Sequence, residues 1–200
     1  NLDIKKGDVV GFFGESGSGK STLVSLISLL LKPNSGDILI DDKKISSAEE
    51  IRSYQNLISI VSQDTFLINE TIEENIIYGE NKTAIDKKKL NSSIEFASLE
   101  NYIQDQKTGL DYRIGFQSKK ISSGQKQRIG IARLYYNIRE IIIFDEATNA
   151  LDEDNEKKIF KNILKLKAKK TIIFVTHNKF FLNFFDKAYE VRNQKLIKIK

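Results

Sequence analysis

A glycine-rich segment near the start of the chain has the residue types and spacing of a phosphate-binding loop. Its glycines let backbone N–H groups approach anionic oxygens, its lysine can reach the outer phosphates of a bound nucleotide, and its serine hydroxyl can bind Mg²⁺. The residues predicted to surround the phosphates are Gly14, Glu15, Ser16, Gly17, Ser18, Gly19, Lys20, Ser21 and Thr22. The alternative is an ordinary glycine-rich turn that contains a lysine by chance.

The flanking sequence favours the phosphate loop over the simple turn. Val9–Phe13 is apolar and predicts a buried strand, and residues 21–31 predict an apolar helix. A strand, a glycine loop and a helix in this order point backbone N–H groups and the positive end of the helix dipole toward an anion. We therefore expect the chain to bind a nucleotide.

A second group of chemically active residues follows an apolar strand later in the chain. Residues 141–144 read Ile-Ile-Ile-Phe, and Asp145 and Glu146 come directly after them. In an enzyme with a phosphate loop, Asp145 would hold Mg²⁺ directly or through water, and Glu146 would orient and deprotonate the attacking water. The alternative is a strand followed by an acidic helix cap, and the phosphate loop upstream makes that the weaker interpretation.

Short β-type runs recur along the chain and indicate a sheet with flanking helices. The predicted strands are Val9–Phe13, 38–40, Ile58–Val61, 141–144, Thr171–Val175, 188–191 and 196–199. Between two entirely apolar runs, 141–144 and 172–175, lies a predicted amphipathic helix over residues 154–170, with its stripe at Ile159, Phe160, Ile163 and Leu164. Such a βαβ unit predicts a parallel sheet, so the fold class is α/β. Residues 70–120 are helix-rich, with helices predicted over 73–77, 87–97 and 99–104, and look like a helical insertion.

The composition allows one sizeable domain and excludes several functions. The chain has 200 residues, a net charge of +5 and no cysteine, so disulfides and thiolate metal sites are excluded. Its dispersed lysines are typical of solvated helix faces rather than of a nucleic-acid interface. No apolar run approaches the roughly 20 residues of a spanning helix, so any membrane part is expected elsewhere. Because the sequence contains no methionine, we expect it to be a piece of a longer or processed polypeptide.

Residues 121–128, Ile-Ser-Ser-Gly-Gln-Lys-Gln-Arg, carry a family resemblance. They resemble the signature motif of ATP-binding-cassette (ABC) ATPases, commonly Leu-Ser-Gly-Gly-Gln followed by a basic helix. Other elements of the family follow the same order: Gln63 matches the Q-loop, residues 150–152 the D-loop, and Thr176-His177 the switch-histidine segment. The resemblance covers essentially the whole chain. It implies a P-loop NTPase (RecA-like) parallel-sheet core with an antiparallel β part and a helical subdomain at about residues 70–120.

The resemblance also implies roles for individual residues. The expected catalytic residues are Glu146, His177, Lys20 and Gln63, and the expected Mg²⁺ ligands are Ser21, Gln63 and Asp145. In similar proteins two domains close head-to-tail around two ATP molecules, so the signature residues would cover the γ-phosphate held by a second domain; they are Ser122, Ser123, Gly124 and Gln125. A lone histidine is more often structural than functional, but His177 follows a predicted central strand, where α/β sheets bind ligands. The expected cofactors are thus ATP and Mg²⁺.

Residues 63–76 look like the exporter type of ABC domain, in which the Q-loop leads into a short helix that receives coupling helices of a membrane domain. A simpler interpretation, compatible with the first, is a loop followed by a capped helix with Thr71 as N-cap and Glu74 three residues on. The resemblance implies a transmembrane partner encoded upstream, a second nucleotide-binding domain in a homo- or heterodimer, and a location on the cytoplasmic face of the cell (inner) membrane. It implies no nucleic-acid partner and leaves the transported substrate open.

Three features depart from the family pattern. Ser123 stands where the signature usually has glycine, and Phe116 stands where exporters often have an acid. The aromatic residue that stacks on adenine in similar domains is missing upstream of the loop, so we expect weakened ATP binding by this piece. These departures keep a second function open, a non-catalytic or regulatory nucleotide-binding module of a heterodimeric transporter. A soluble cassette ATPase acting on DNA or ribosomes is the third alternative.

Overall fold

The computed structural model describes residues 1–80, 85–115 and 121–200. These residues form two compact units that are interleaved along the chain. Unit 1 contains Asn1–Ile60, Arg139–Asp145 and Lys167–Lys200, and unit 2 contains Val61–Ile138 and Glu146–Leu166. In the part of the chain that the structure describes, no helix is both long enough and apolar enough to cross a membrane.

Unit 1 is built on a six-stranded sheet with the order β4-β5-β6-β1-β7-β8. Its strands are β1 (Val9–Phe13), β4 (Ile58–Val61), β5 (Ile141–Asp145), β6 (Thr171–Val175), β7 (Lys187–Arg192) and β8 (Lys195–Lys198). β1 pairs in parallel with β6 and β7, β6 pairs in parallel with β5, and β8 is antiparallel to β7. The predicted α/β class with a parallel core and an antiparallel part is confirmed. The predicted strand pattern is confirmed with shifts of one or two residues at the ends.

The central strands form the core of unit 1 because they are apolar on both faces. All five residues of β1 and of β6 are buried. The core cluster on one face contains Val10, Phe12, Val24, Ile143, Ile173, Val175, Tyr189 and Val191. The apolar runs 141–144 and 172–175 lie in the neighbouring strands β5 and β6. Such strands are buried only where helices or loops cover both faces of the sheet, as the sequence predicted.

The first helix, α1 (Lys20–Ile27), is shorter than the prediction over residues 21–31. Its end is fixed from outside by α2 (Ala48–Gln55), a helix that the sequence analysis did not identify. The Tyr54 hydroxyl donates to Ile27 O at 3.0 Å, and Gln55 Nε2 donates to Leu29 O at 3.1 Å. Leu29 then adopts a φ of +53°, which ends the helix. The apolar pattern continues to residue 31, but α2 binds the carbonyl of Ile27, the last residue of α1, and that of Leu29 just after it, and the backbone leaves the helix there.

A short antiparallel hairpin, β2 (Leu39–Ile40) with β3 (Lys43–Lys44), completes the secondary structure of unit 1 before α2. Helix α2 begins with a capping box, in which the Ser47 side chain and the Glu50 carboxylate each accept from the other's backbone N–H. Hydrogen bonds from the Ser47 backbone and from Lys43 lower the pKa of Glu50 to about 2. Neither β3 nor α2 was predicted from the sequence.

Unit 2 is helical. Its helices are α3 (Ile72–Ile76), α4 (Lys87–Phe96), α5 (Glu100–Gln104), α6 (Ser123–Tyr136) and α7 (Glu153–Leu164), with a 3-10 helix at Gly109–Asp111. Helix α6 packs against α3 and α4, and α4 also packs against α7. The predicted helices 73–77, 87–97 and 99–104 correspond to α3, α4 and α5. The proposed insertion, residues 70–120, lies in unit 2 except for 81–84 and 116–120, which are outside the described residues.

Helix α7 ends six residues before its predicted end at residue 170. The predicted apolar stripe faces the protein interior, and Ile159, Phe160 and Ile163 are buried. After α7 the backbone changes to a hydrogen bond between residues three apart, from Leu166 N to Ile163 O at 3.0 Å. Ala168 then adopts a φ of +66°. A left-handed residue ends a helix whatever the propensity of the lysines around it, so the prediction over residues 165–170 was wrong.

Candidate functional site

The phosphate loop of unit 1 connects β1 to α1. Gly19 occupies the N-cap position of α1 with a φ of +103° and supplies no side chain to cap the helix. No side-chain cap therefore competes with an anion at the first helical turn, and the helix dipole adds positive potential at the same place. This geometry is the one that the loop's glycine spacing predicted.

Lys20 is held over the loop. Its side chain is buried, and Nζ donates to Gly14 O at 2.9 Å and to Glu15 O at 2.8 Å. These bonds place the ammonium within the concave backbone of the loop rather than in solvent. A buried lysine charge is costly without anionic partners, so the arrangement suits a ligand that carries several negative charges.

The loop residues fit a phosphate closely at Gly14 and Ser18. A Cβ at Gly14 would lie 2.6 Å from Val191 O and 2.7 Å from Ser18 Oγ, so no larger residue fits there. Ser18 Oγ is buried and forms no hydrogen bond with the described part of the protein. Because a buried hydroxyl without a partner is costly, a phosphate oxygen at this position would satisfy it.

Three neighbouring strands of unit 1 place the phosphate loop, Asp145 and Thr176-His177 at one edge of the sheet. In register, Phe12 of β1 lies opposite Val175 of β6, and Val175 lies opposite Asp145 of β5. The phosphate loop follows β1 directly, and Thr176-His177 follow β6. The strand ends are joined by a hydrogen bond from Thr176 N to Phe12 O at 3.0 Å. This is the edge at which parallel sheets bind nucleotides.

The predicted metal ligands in unit 1 would bind through oxygen atoms. Ser21 begins the exposed face of α1, and Asp145 ends β5. Among the residues that the structure describes, no cluster of three or more His, Cys, Asp or Glu side chains could hold a metal. Hydroxyl and carboxylate oxygens suit Mg²⁺, which commonly binds one or two protein groups together with substrate phosphates. Gln63, the third predicted ligand, belongs to unit 2.

His177 is exposed, in contrast to the buried Thr176 before it. Thr176 Oγ1 accepts a hydrogen bond from Asn178 N at 3.0 Å, which fixes the turn after β6. An exposed histidine is not the satisfied core histidine of the alternative interpretation. Its predicted contact with the γ-phosphate stays a prediction.

In unit 2, Glu146 begins the segment that leads from β5 to α7. Its φ is +52°, a conformation that residues with a Cβ rarely adopt and that often occurs at functional sites. One carboxylate oxygen, Oε2, accepts a hydrogen bond from Asn149 Nδ2 at 3.0 Å. The backbone of the predicted catalytic base is therefore strained, and its side chain is oriented.

Gln127 is a site residue that the sequence analysis missed. Its buried side chain lies on α6, two residues beyond the signature. Its Oε1 accepts from Ala150 N at 3.0 Å, and its Nε2 donates to Glu146 O at 3.4 Å and to Gln63 O at 3.5 Å. One amide thus joins the predicted Q-loop, the segment of the predicted base Glu146 and the predicted D-loop in unit 2. A glutamine on a helix face that is otherwise buried is the sequence signal that could have identified it.

The signature residues form the amino end of α6. Ser122 is the N-cap, and its side chain and that of Gln125 form a capping box. Ser123 is the first helical residue and is exposed. A Cβ at Gly124 would lie 2.8 Å from Ala150 O, so glycine is required for the close approach of the signature and the D-loop.

The D-loop ends in a charged cap. Asp152 is the N-cap of α7, and hydrogen bonds from the backbone and side-chain amides of Asn155 lower the pKa of its carboxyl group. Arg128 on α6 donates to Ser98 O at 2.6 Å, and its burial lowers its pKa while nearby Asp152 counteracts this effect. The Asn155 amides and the Arg128 charge therefore favour the ionised form of Asp152.

The segment after Gln63 is fixed by a buried amide. Asn75 is fully buried, and its side chain bonds both the N–H and the C=O of Ile68. Arg133 donates to Asn75 O at 2.7 Å and to Phe66 O at 2.9 Å, while the Phe66 side chain is 71% exposed. The capped-helix interpretation is confirmed, since Thr71 and Glu74 form a capping box at α3. Phe116, the other departure from the family pattern, lies outside the described residues.

Comparison with known proteins gives one consistent family. Residues 1–149 match the model of the family described as "ABC transporter". The chain is 38% identical over 177 residues to the leukotoxin translocation ATP-binding protein LktB of Pasteurella haemolytica-like sp. (strain 5943B), covering 88% of this chain and 25% of LktB. It is 37% identical over 193 residues to the uncharacterized ABC transporter ATP-binding protein YwjA of Bacillus subtilis (strain 168), covering 96% of this chain and 33% of YwjA.

A solved structure gives the same result in three dimensions. The structure of a bacterial Atm1-family ABC exporter with ATP bound matches this chain with a TM-score of 0.90 and 30% identity, over 98% of this chain and 34% of that protein. The chain therefore spans about a quarter to a third of the relatives that it matches.

Proposed function

Because this chain belongs to the ABC transporter family as an ATP-binding domain, we propose that it binds and hydrolyses ATP with Mg²⁺ to drive the cycle of an exporter. The ATP-binding domains of this family are ATPases. The observation that carries the proposal is the alignment of three strand ends in unit 1. There the phosphate loop, Asp145 and the Thr176-His177 turn meet at one edge of the sheet.

Binding would rest on charge and backbone donors. Lys20 Nζ, already within the loop, would exchange its carbonyl partners for β- and γ-phosphate oxygens. The N–H groups after Gly19 would bind the same phosphates. Ser21 and Asp145, with Gln63 as the third predicted ligand, would hold Mg²⁺, which neutralises charge that develops on the transferred phosphoryl group.

Hydrolysis would depend on Glu146 as the general base. Its carboxylate would accept a proton from the attacking water as the bond from oxygen to the γ-phosphorus forms and the bond to ADP breaks. His177 would donate a hydrogen bond to the γ-phosphate and help to position that water. The protein supplies positioning and charge here, since phosphoryl transfer to water needs no covalent intermediate.

A second nucleotide-binding domain would complete the site. The amino end of α6, with Ser122, Ser123, Gly124 and Gln125, would cover the γ-phosphate of ATP that the other domain holds. Its capping box leaves Ser123 exposed at the start of a fourteen-residue helix, where the helix dipole favours an anion. ATP would thus favour the closed pair, and hydrolysis would release it.

The membrane partner is proposed from the relatives and from the exporter-type segment. The name of LktB refers to leukotoxin translocation, and the matching structure is an exporter. We place this domain on the cytoplasmic face of the cell membrane, with its Q-loop and α3 region receiving the coupling helices of a transmembrane domain. Exposed Phe66 beside the fixed backbone of α3 supplies an apolar contact for them.

A non-catalytic module of a heterodimer is the second candidate, and the serine at position 123 favours it. The presence of Glu146, oriented by Asn149, opposes it.

Steady-state hydrolysis by the full-length protein with MgATP separates the two candidates. We expect Glu146→Gln to lower turnover by about 10²–10⁴-fold with ATP binding retained, because only the base is removed. Lys20→Ala is the matched comparison and should instead weaken ATP binding. Equal turnover of wild type and Glu146→Gln would remove Glu146 from its role, and negligible turnover of the wild type would favour the non-catalytic module.

A further inference from the structure

The carboxylate of Glu146 and the side chain of Asn149 form a local pair within unit 2. Asn149 Nδ2 donates to Glu146 Oε2 at 3.0 Å, and Asn149 N donates to Glu146 O at 3.3 Å. Both side chains are partly buried. Two contacts to one residue, one to its backbone and one to its carboxylate, set the position of the carboxylate relative to the turn.

The turn that carries Asn149 is fixed on both sides. Ala147 and Thr148 are almost fully buried, and Thr148 Oγ1 donates to Glu156 Oε1 on α7 at 2.9 Å. On the other side, Ala150 N donates to the amide of Gln127 at 3.0 Å. The Asn149 amide therefore lies in a rigid frame, and such a frame can hold a neighbouring group in one orientation.

The left-handed backbone of Glu146 makes this support necessary. A φ of +52° at a residue with a Cβ is strained and persists only when its surroundings determine it. Without a partner, a glutamate side chain on such a backbone would sample several rotamers. The rate of hydrolysis falls when the carboxylate that must accept a proton from water varies in position.

We propose that Asn149 is the positioning residue of the catalytic base. Its side-chain N–H binds Oε2 and so holds in one orientation the carboxylate that we propose accepts the proton of the attacking water. The inference rests on the proposed role of Glu146. Asparagine suits the task because its amide is a neutral donor, whereas a lysine would form an ion pair and an aspartate would place a second negative charge beside the base.

The test uses the full-length protein with MgATP, comparing wild type, Asn149→Ala and Asn149→Asp. We expect Asn149→Ala to lower kcat by about tenfold to a hundredfold, with KM for ATP changed by less than about twofold. Asn149→Asp has the same size but no donor, so it should lower kcat at least as far while remaining folded. Asn162→Ala is the matched control, since Asn162 Nδ2 donates to Phe96 O at 3.1 Å and its Oδ1 accepts from Lys165 Nζ at 2.8 Å, and neither partner is a proposed site residue. Its kcat should stay within about twofold of wild type.

A double-mutant cycle distinguishes positioning of the base from a general structural role. In the Glu146→Gln background, Asn149→Ala should change the residual rate by less than about twofold, because the group that it positions is gone. An equal fold-loss in both backgrounds would overturn the proposal, as would wild-type kcat in Asn149→Ala alongside an inactive Glu146→Gln. If Glu146→Gln itself retained full turnover, that result would contradict the proposed role of Glu146 as the base, independently of the rates of the Asn149 variants.

Discussion

Ser123 shows how one side chain can modulate a site without being required for its fold. It is exposed as the first residue of α6 and is not among the residues with a positive φ, so the backbone does not require glycine there. The glycine usual in the family would serve the approach of a partner's γ-phosphate instead. Ser123 adds a Cβ and a hydroxyl to that surface.

We expect Ser123→Gly to raise kcat modestly, by up to about fivefold, equivalent to roughly 1 kcal/mol of transition-state stabilisation. The reason is closer contact of the α6 amino end with the γ-phosphate of the facing site. Steady-state ATPase assays of the full-length protein measure it, with Ser92→Gly on the exposed side of α4 as control. An unchanged rate in Ser123→Gly would show that the serine does not impair hydrolysis.

Short helices in unit 2 depend on their caps more than on their own propensity. Helix α3 has only five residues, too few to be stable alone. Thr71 Oγ1 accepts from Glu74 N at 3.1 Å, and Glu74 Oε2 accepts from Thr71 N at 3.0 Å. The capping box therefore fixes the segment that we propose receives the coupling helices.

Thr71→Ala should lower the free energy of unfolding by about 1 kcal/mol, as expected for loss of an N-cap side chain. Thr108 provides a matched control, because it is the N-cap of the 3-10 helix at Gly109–Asp111 and makes no side-chain cap hydrogen bond. Denaturant unfolding of both variants measures the difference. Similar losses in Thr71→Ala and Thr108→Ala would contradict the role of the capping box.

The complete molecule is proposed to act as a pair. The phosphate loop lies in unit 1 and the signature in unit 2, and the signature is expected to meet ATP held by a second domain. Association should therefore require the triphosphate, since only its γ-phosphate would reach the partner's α6.

We expect the Glu146→Gln protein to form a dimer with ATP and to remain monomeric with ADP, as measured by light scattering. Ser123→Glu should abolish this dimer, because it sets a carboxylate against the γ-phosphate while glutamate is well tolerated in a first helical turn. Ser92→Glu, an equal charge change at an exposed serine of α4, should leave the dimer intact. Dimers of equal stability with ADP and with ATP would contradict the proposal that the γ-phosphate is part of the interface.

The phosphate loop, the parallel sheet and the order of the family motifs could be predicted from the amino-acid sequence. These follow from local patterns: glycine spacing, apolar runs of strand length and carboxylates at a strand end. Such patterns act within a few residues, so their structure can be predicted without knowledge of distant contacts.

The end of α1 and the amides that support the proposed site depend on contacts between distant residues, so they could be identified only in the folded protein. The side chains of α2 bind the carbonyl of Ile27, the last residue of α1, and that of Leu29 just after it. Gln127 reaches backbone groups at Gln63, Glu146 and Ala150, which are all distant from it in sequence. Asn149 became a candidate only when the φ of Glu146 and the direction of its carboxylate were known. An amide carries no charge and has no spacing rule, so its role is set by the groups that folding brings within hydrogen-bond distance.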